Sequence, residues 1–175
     1  TPSRRWWELL RRHAVSQGLQ PGRPVSGRDA RMILTVSTIK DTVPNVEKFV
    51  RRNLNGSVDH LIVFLDDHEP EIEELLTGSP HVTCIPTHRG WWANGDRPGL
   101  THRQSLNATL AARMLSRFTW AEWAVHIDGD EVIHVDHGAL RALAPDVRAV
   151  RLMTLEAVAP RARSLGRQGN PCFAS

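Results

Sequence analysis

Between residues 31 and 152, short runs of apolar residues alternate with segments whose apolar residues recur every three or four positions. The runs have the length of strands, and the periodic segments have the spacing of amphipathic helices. Because strands that alternate with helices form mostly parallel sheets covered on both faces, the pattern predicts an α/β fold. The predicted strands are Met32 to Ser37, His60 to Leu65, Val82 to Ile85, Trp123 to Ile127 and Val147 to Leu152.

The segments between these strands predict three helices. Pro44 and Pro70 each stand at the start of an amphipathic segment, where proline is favoured in the first helical turn, and Gly56 can close the first helix. The longest helix is predicted to begin at Thr101, with the side chains of Thr101 and Gln104 forming a capping box. The inward-facing stripe of this helix is predicted to be Leu106, Leu110, Met114 and Phe118.

The residues before the first strand differ in composition from the rest of the chain. Residues 3–15 carry four arginines, two tryptophans and two leucines, which predict a short basic helix, and the proline- and glycine-rich residues 17–29 predict a linker. The basic helix is expected to pack against its own domain or a partner subunit, with contact to an anionic membrane surface as the alternative. A length of 175 residues favours one domain, so residues 31–175 are predicted to form a single unit behind residues 1–30.

Composition and charge narrow the class of protein. The apolar fraction of 41% and the charged fraction of 23% are typical of a folded domain. Cys84 and Cys172 lie far apart without C-x-x-C spacing, which argues against a disulfide scaffold or a cysteine zinc site and favours a reducing compartment. No apolar run approaches the roughly 20 residues that span a bilayer, so a cytoplasmic location is expected, peripheral to a membrane if the basic helix binds one. The arginines are scattered without a recognition helix, so no specific nucleic-acid partner is expected.

Acidic residues directly follow two of the predicted strands. Asp66 and Asp67 follow the second strand, and residues 128–131, which read DGDE, follow the fourth. In an open parallel sheet, ligands bind beyond the carboxyl ends of the strands. Adjacent carboxylates repel one another, and a hard cation such as Mg²⁺ or Mn²⁺, which prefers oxygen ligands, would compensate that repulsion. The pattern therefore predicts a divalent metal site, with a solvated acidic turn as the alternative.

The histidines near the acidic turn have two interpretations. They are expected to contact solvent or a polar partner, although His134 is a candidate metal ligand.

The loop before the longest helix also has two interpretations. Residues 88–99 form a glycine-rich loop whose paired tryptophans could stack on a sugar and whose Arg89 or Arg97 could bind phosphate. Alternatively, Trp91 closes the edge of the domain.

The sequence around the acidic turn resembles a known family. Residues 120–133, which read WAEWAVHIDGDEVI, are similar to the D-x-D segment of family 2 glycosyltransferases with the GT-A fold. Residues 35–41, which read TVSTIKD and precede a predicted helix, are similar to the opening segment of that family. The resemblance covers about residues 31–140. It implies a GT-A-like, Rossmann-like sheet and the transfer of a sugar from a nucleotide-diphosphate donor to an acceptor.

Matched position by position, the resemblance implies a metal site and a nucleotide site. Asp128 and Asp130 would hold Mn²⁺ or Mg²⁺ against the diphosphate of a nucleotide-sugar donor, for which a UDP-sugar is the default. Asp66 or Asp67 would contact the base or ribose, with a turn at the start of a helix as the alternative for Asp67. Arg103 would contact the diphosphate or pair with a neighbouring acid. The residues assigned to nucleotide binding are Ser37, Thr38, Lys40, Asp66, Asp67, Arg103 and Asn107.

The resemblance is incomplete on the carboxyl side of the acidic turn. Only 45 residues follow Asp130, whereas members of the family continue further and there supply acceptor contacts and a catalytic base. The chain is therefore expected to be truncated or minimal, with no catalytic base assigned and with an unknown glycan, lipid or small molecule as acceptor. A non-catalytic nucleotide-sugar-binding domain is the first alternative. A haloacid-dehalogenase-type phosphatase is the second, because residues 128–132 fit its D-x-D-x-V motif, although that motif ordinarily follows the first strand.

Overall fold

The computed structural model describes residues 32–92, 95–118, 120–144 and 146–155. The predicted basic helix and linker over residues 1–30 lie outside the described residues. The chain divides into two compact units at the boundary between Arg141 and Ala142. The helices and strands given below belong to the first of these units.

A parallel four-stranded sheet forms the centre of the first unit. Its strands are β1 (Met32–Ile39), β2 (His60–Asp66), β3 (Val82–Thr87) and β4 (Ala121–His126), in the order β3-β2-β1-β4. Each neighbouring pair is parallel, with Ser37 of β1 opposite Val63 of β2 and Val36 of β1 opposite His126 of β4. This arrangement confirms the predicted α/β, Rossmann-like class.

The connections between the strands contain the helices. They are α1 (Val43–Leu54), α2 (Pro70–Thr77), α3 (Leu100–Leu115) and, after β4, α4 (His137–Arg141), and a 3-10 turn covers Arg89–Trp91. Prolines lie in the first turn of both α1 and α2, as the sequence predicts. Proline fits there because the first N–H groups of a helix have no partner within the helix and the φ of proline is already helical.

Side chains alternate between the two faces of each strand, and both faces of this sheet are apolar, so helices cover both of them. On one face, Ile33 of β1 packs in a buried cluster with Phe49 of α1 and Ile72 of α2. On the other face, Leu34 of β1 packs in a second cluster with Met114 of α3. Burying each of these side chains contributes roughly 1.5–3 kcal/mol to the stability of the fold. The carboxyl ends of the four parallel strands lie together at one end of the sheet. This end of the sheet, and not an outer strand, is called the open edge below.

One predicted strand does not form. Residues 147–152 have no regular secondary structure, and the N–H of Val147 donates to the carbonyl of Ala144 in a turn. The side chains of Val150 and Leu152 are exposed. The prediction is wrong because apolar and β-branched residues indicate a strand without providing a partner edge for it. A strand is stable only where its backbone groups are paired.

The start and the inward face of α3 also differ from the prediction. Gly99 is the N-cap residue and no side chain caps this helix, so the predicted capping box is wrong. Gln104 reaches across to Asp128 instead of back to the helix start. Asn107 faces inward where Leu106 was expected, and Leu106 is exposed. Leu110 and Met114 are buried as predicted, and Phe118 packs against the same cluster, partly buried. Only Leu106 is wrong, because a polar side chain, Asn107, finds buried hydrogen-bond partners that the apolar pattern does not reveal.

Candidate functional site

The strand order reverses between β1 and β4, and this reversal lies at the open edge of the sheet. From β1 the chain proceeds to β2 and β3 on one side, and it then returns through α3 to place β4 on the other side of β1. Such a reversal separates the loops that follow two adjacent strands, and ligands of open α/β sheets bind at this point. Here the two loops are the one that begins with Lys40, after β1, and the one that contains Asp128, after β4.

One face of α3 contacts the ends of three strands. Arg103 donates to Asp66 Oδ2 at the end of β2, at 2.5 Å. Gln104 Nε2 donates to Asp128 Oδ1 beyond the end of β4, at 2.8 Å. Because residues 103, 104 and 107 lie on the same side of a helix, α3 fixes the relative positions of the three strand ends.

The third of these contacts belongs to a buried group of polar side chains. The side-chain Nδ2 of Asn107 donates to the hydroxyl of Thr38 in β1, at 3.0 Å. The indole Nε1 of Trp91 donates to Asn107 Oδ1, at 3.3 Å. Asn107 is fully buried, so these bonds satisfy polar atoms that would otherwise be costly to bury. Asn107 and Thr38 therefore join α3 to β1 beneath the open edge and do not face solvent.

Asp66 forms a buried ion-pair cluster. Its side chain is 1% exposed, with Oδ2 paired to Arg103 and Oδ1 2.8 Å from Nη2 of Arg97. Arg103 also donates to the carbonyl of Pro98, at 2.5 Å, and thereby holds the loop before α3. In this state Arg103 is engaged with a neighbouring acid, which is one of the two roles that the sequence leaves open. Two guanidinium groups compensate one buried carboxylate here, as a buried charge requires.

Asp67 differs from Asp66 in exposure and in backbone geometry. Its side chain is 43% exposed, and its φ of 74° is in the left-handed region, which aspartate tolerates better than most residues. Oδ2 of Asp67 accepts from Lys40 Nζ at 2.7 Å and from Arg97 Nη1 at 2.9 Å. The hydrogen bond from Lys40, assisted by that from Arg97, lowers the pKa of Asp67. Asp67 is therefore ionised at neutral pH, between two cations.

Two residues that the resemblance assigns to the nucleotide lie at different depths. Ser37 is fully buried and lies within β1, on the strand face opposite to that of Thr38, so it belongs to the core. Its hydroxyl makes no hydrogen bond. Lys40, in contrast, is exposed beyond the end of β1. The open edge thus presents Lys40, Asp67 and Arg97, while Ser37, Thr38, Asp66 and Asn107 lie below it.

The acidic turn after β4 is closed by hydrogen bonds between its two ends. The N–H of Asp128 donates to Oε2 of Glu131, at 2.9 Å, and the N–H of Glu131 donates to the carbonyl of Asp128, at 3.1 Å. Gly129 lies against Ile39, because an added Cβ would be 3.3 Å from the Ile39 side chain. The Glu131 carboxylate therefore accepts a backbone hydrogen bond that closes the turn. In the described part of the chain, Oδ2 of Asp128 and the exposed carboxylate of Asp130 accept no hydrogen bond.

These free carboxylate oxygens fit a hard divalent cation. Mg²⁺ and Mn²⁺ bind through one or two carboxylates and complete their shells with water and substrate phosphates. Within residues 32–155 as described, no group of three or more His, Cys, Asp and Glu side chains gathers around a metal position. His134 and His126 are exposed, and His137 instead contacts the carbonyl of Ser57 at 2.7 Å. Any metal would therefore be held by the pair Asp128 and Asp130 together with a ligand, without a protein cage.

Asn53 is a site-supporting residue that the sequence gives no reason to single out. It is fully buried near the end of α1, and its Nδ2 donates to the carbonyls of Phe49 and Glu131 at 3.0 and 3.1 Å. Its Oδ1 accepts from the N–H of Ile133, at 3.0 Å. These bonds fix the chain that leaves the acidic turn. A pattern search misses Asn53 because an asparagine in the last turn of a helix is usually a surface residue.

The tryptophans of the loop after β3 are mainly structural. Trp91 is buried edge-on against Phe64, with ring centroids 5.9 Å apart, and Trp92 is also buried. Trp91 thus belongs to the core cluster beside α3, which agrees with a structural role and not with the predicted position at the domain edge. Beside Trp92 lies a pocket of about 310 Å³ that is also lined by Asp67, Asp96 and Arg97. This pocket is polar and open, and it adjoins the cations that surround Asp67.

Comparisons with protein-family models, with curated proteins and with solved structures found no match to this chain. Among the helices of the described part of the chain, none has the length and apolar character needed to cross a bilayer.

Proposed function

We propose that this chain binds a nucleotide-sugar together with Mn²⁺ or Mg²⁺ at the open edge of its sheet and acts as a metal-dependent glycosyltransferase. The observation that carries the proposal is the position of the acidic turn. Asp128 and Asp130 directly follow β4, at the place where the strand order reverses next to β1. This is where open α/β sheets bind ligands, and it is where the resemblance to family 2 glycosyltransferases puts the donor diphosphate.

The chemistry of the donor set supports a metal-bound diphosphate. Asp128 and Asp130 offer two carboxylates with free oxygens, and Gln104 holds Asp128 through its other oxygen. A bound divalent ion would neutralise the charge that develops on a departing nucleoside diphosphate. Lys40 and Arg97 lie beyond the adjacent strand ends and add positive charge at the same edge. We propose UDP-sugar as the default donor, on the resemblance alone.

The rest of the site would bind and orient the donor. Asp66 is neutralised by Arg97 and Arg103, so contact with a base or ribose would require one of these arginines to release an oxygen. Arg97 is the better candidate for release, since its side chain is 32% exposed against 12% for Arg103. We assign no catalytic base, and the acceptor is a glycan, a lipid or a small molecule.

Two other functions are tested by the same experiments. A non-catalytic nucleotide-sugar-binding domain would keep metal-dependent donor binding and would show no sugar transfer or donor hydrolysis. A haloacid-dehalogenase-type phosphatase would use Asp128 as a nucleophile toward phosphorus, but in this fold Asp128 follows the edge strand β4 and not the first strand. Neither alternative changes the residues to be tested.

The test is isothermal titration of UDP, GDP and dTDP into the full chain, with Mn²⁺ and with EDTA. The Asp128→Ala/Asp130→Ala variant is compared with a Glu47→Ala/Glu74→Ala variant, which removes the same charge from exposed positions on α1 and α2. We expect Mn²⁺-dependent binding of one nucleotide by the wild type and the control, and at least tenfold weaker binding by the Asp128/Asp130 variant.

Equal binding by both double variants would show that the acidic turn holds no metal, and the proposal would then be wrong. Absence of Mn²⁺-dependent binding in the folded wild type would overturn it as well. If binding behaves as expected, incubation with radiolabelled UDP-sugars separates the enzyme from the binding domain, because only an enzyme releases UDP from the donor.

A further inference from the structure

Five charged side chains form a continuous chain of contacts at the ends of β1 and β2. In order of contact they are Lys40, Asp67, Arg97, Asp66 and Arg103, so that positive and negative groups alternate. Three of them are cations and two are anions. One positive charge therefore remains uncompensated within the cluster, at an edge that is open to solvent.

The two carboxylates of this cluster have different roles. Asp66 is buried and its charge must be compensated for the domain to fold. Asp67 is exposed, and one of its oxygens receives hydrogen bonds from both Lys40 and Arg97. An exposed ion pair contributes little to stability, so the fold does not require the contacts of Asp67. Those contacts do place an anionic oxygen between two cations.

We propose that Asp67 is an internal counter-ion that occupies the place of a ligand phosphate, and that Lys40 and Arg97 bind this phosphate when it displaces the Asp67 carboxylate. The inference deepens the proposed function and relies on it for the ligand, since a nucleoside diphosphate carries such a group. Free phosphate and pyrophosphate have the same chemistry. The titrations therefore compare pyrophosphate, UDP and uridine, in which tighter wild-type binding of UDP than of pyrophosphate indicates a nucleoside diphosphate and equal binding indicates the free anion.

Phosphate can replace a carboxylate at this position on chemical grounds. A phosphate group carries more charge and more acceptor oxygens than a carboxylate, and a guanidinium binds it through two N–H groups while an ammonium binds it as a point charge. The adjoining pocket of about 310 Å³ provides space for it on the Arg97 side. Asp96 also lines this pocket and opposes anion binding there. Phosphate binding is therefore assigned to Lys40 and Arg97, and the pocket contributes only the space that the phosphate occupies.

The proposal predicts a gain of affinity when Asp67 loses its charge. Asn tolerates the left-handed backbone of residue 67, so Asp67→Asn keeps the fold and releases Lys40 and Arg97. We expect this variant to bind pyrophosphate and UDP about three- to tenfold more tightly than the wild type, in EDTA and at low salt, with uridine unchanged. Isothermal titration measures all three ligands.

Asp96→Asn is the matched control. It removes one negative charge from the same pocket, and in the described part of the chain Asp96 forms no ion pair. General electrostatic attraction would make both variants gain equally, whereas displacement of a counter-ion makes only Asp67→Asn gain substantially. Adding Lys40→Met to Asp67→Asn should remove most of the gain, because one of the two phosphate-binding cations is then absent.

Several results would overturn the inference. They are equal gains for Asp67→Asn and Asp96→Asn, a gain that survives Lys40→Met, a gain for uridine, and no binding of pyrophosphate by either the wild type or Asp67→Asn at millimolar concentration. Because these titrations contain EDTA, they do not involve Asp128 or Asp130. Failure of the Mn²⁺ titrations with a gain for Asp67→Asn would therefore remove the metal site alone.

Discussion

The buried carboxylate of Asp66 makes the stability of the domain depend on Arg103. Asp66 is 1% exposed and Arg103 is 12% exposed, so water cannot replace the guanidinium if Arg103 is truncated. Removing one partner of a buried ion pair typically costs about 3–5 kcal/mol. Arg97 still contacts the other oxygen of Asp66, at 2.8 Å, and lowers this cost. For Arg103→Met we therefore expect a loss of about 2–3 kcal/mol in the free energy of unfolding.

Urea and thermal unfolding monitored by circular dichroism measure this loss. For a chain of this length, it corresponds to a fall in Tm of about 4–12 °C. Arg113→Met is the control, because Arg113 is an exposed arginine on the same helix, and it should change the stability by less than about 0.5 kcal/mol.

A double-mutant cycle separates the ion pair from other effects of the substitution. In the Asp66→Asn background the buried negative charge is absent, so adding Arg103→Met should cost about 1–2 kcal/mol less than it does in the wild type. The reasoning is refuted if Arg103→Met is as stable as Arg113→Met, or if its cost is the same with and without the Asp66 charge.

Three further predictions follow from buried or connecting side chains. Burial, followed by the effect of the neighbouring His81, lowers the pKa of His60 to about 4, so the unfolded chain takes up this proton first. The free energy of unfolding should therefore decrease by up to about 3 kcal/mol as the pH is lowered from 6.5 to about 4. Unfolding titrations of a His60→Gln variant should lack this part of the pH dependence. Burial raises the pKa of Cys84 to about 12, so in a Cys172→Ser background a thiol reagent at pH 8 should react only after the chain is unfolded; reaction in the native state would contradict the burial. Gln104→Met should weaken Mn²⁺-dependent UDP binding about tenfold because it removes the hydrogen bond that orients Asp128, and unchanged affinity would show that this bond does not matter.

The arrangement of the sheet follows from signals that the sequence carries directly. The fully apolar run from Leu61 to Leu65 indicates a strand buried on both faces, and β2 is buried along its whole length. Pro44 and Pro70 mark the first turns of α1 and α2 because their ring geometry suits only that part of a helix. These are local signals, and each depends on the chemistry of one or a few adjacent residues.

The contacts of the candidate site depend on pairs of residues far apart in the chain, and no local signal reports them. Gln104 fits a capping box by spacing, but Asp128 lies 24 residues away and offers a charged acceptor. Asn107 interrupts the predicted apolar stripe because its partner, Thr38, lies 69 residues away. The failure of the strand predicted over residues 147–152 has the same cause, since strand propensity does not supply a partner.

The most direct test of the central claim is the electron paramagnetic resonance spectrum of Mn²⁺ in the presence of UDP and the protein. The account predicts that free Mn²⁺ falls well below the level found with UDP alone when the wild-type chain is added. It also predicts that the Asp128→Ala/Asp130→Ala variant leaves the spectrum as it is with UDP alone. If the variant reduces the free Mn²⁺ signal as much as the wild type does, the carboxylates after β4 do not hold the metal and the account is wrong.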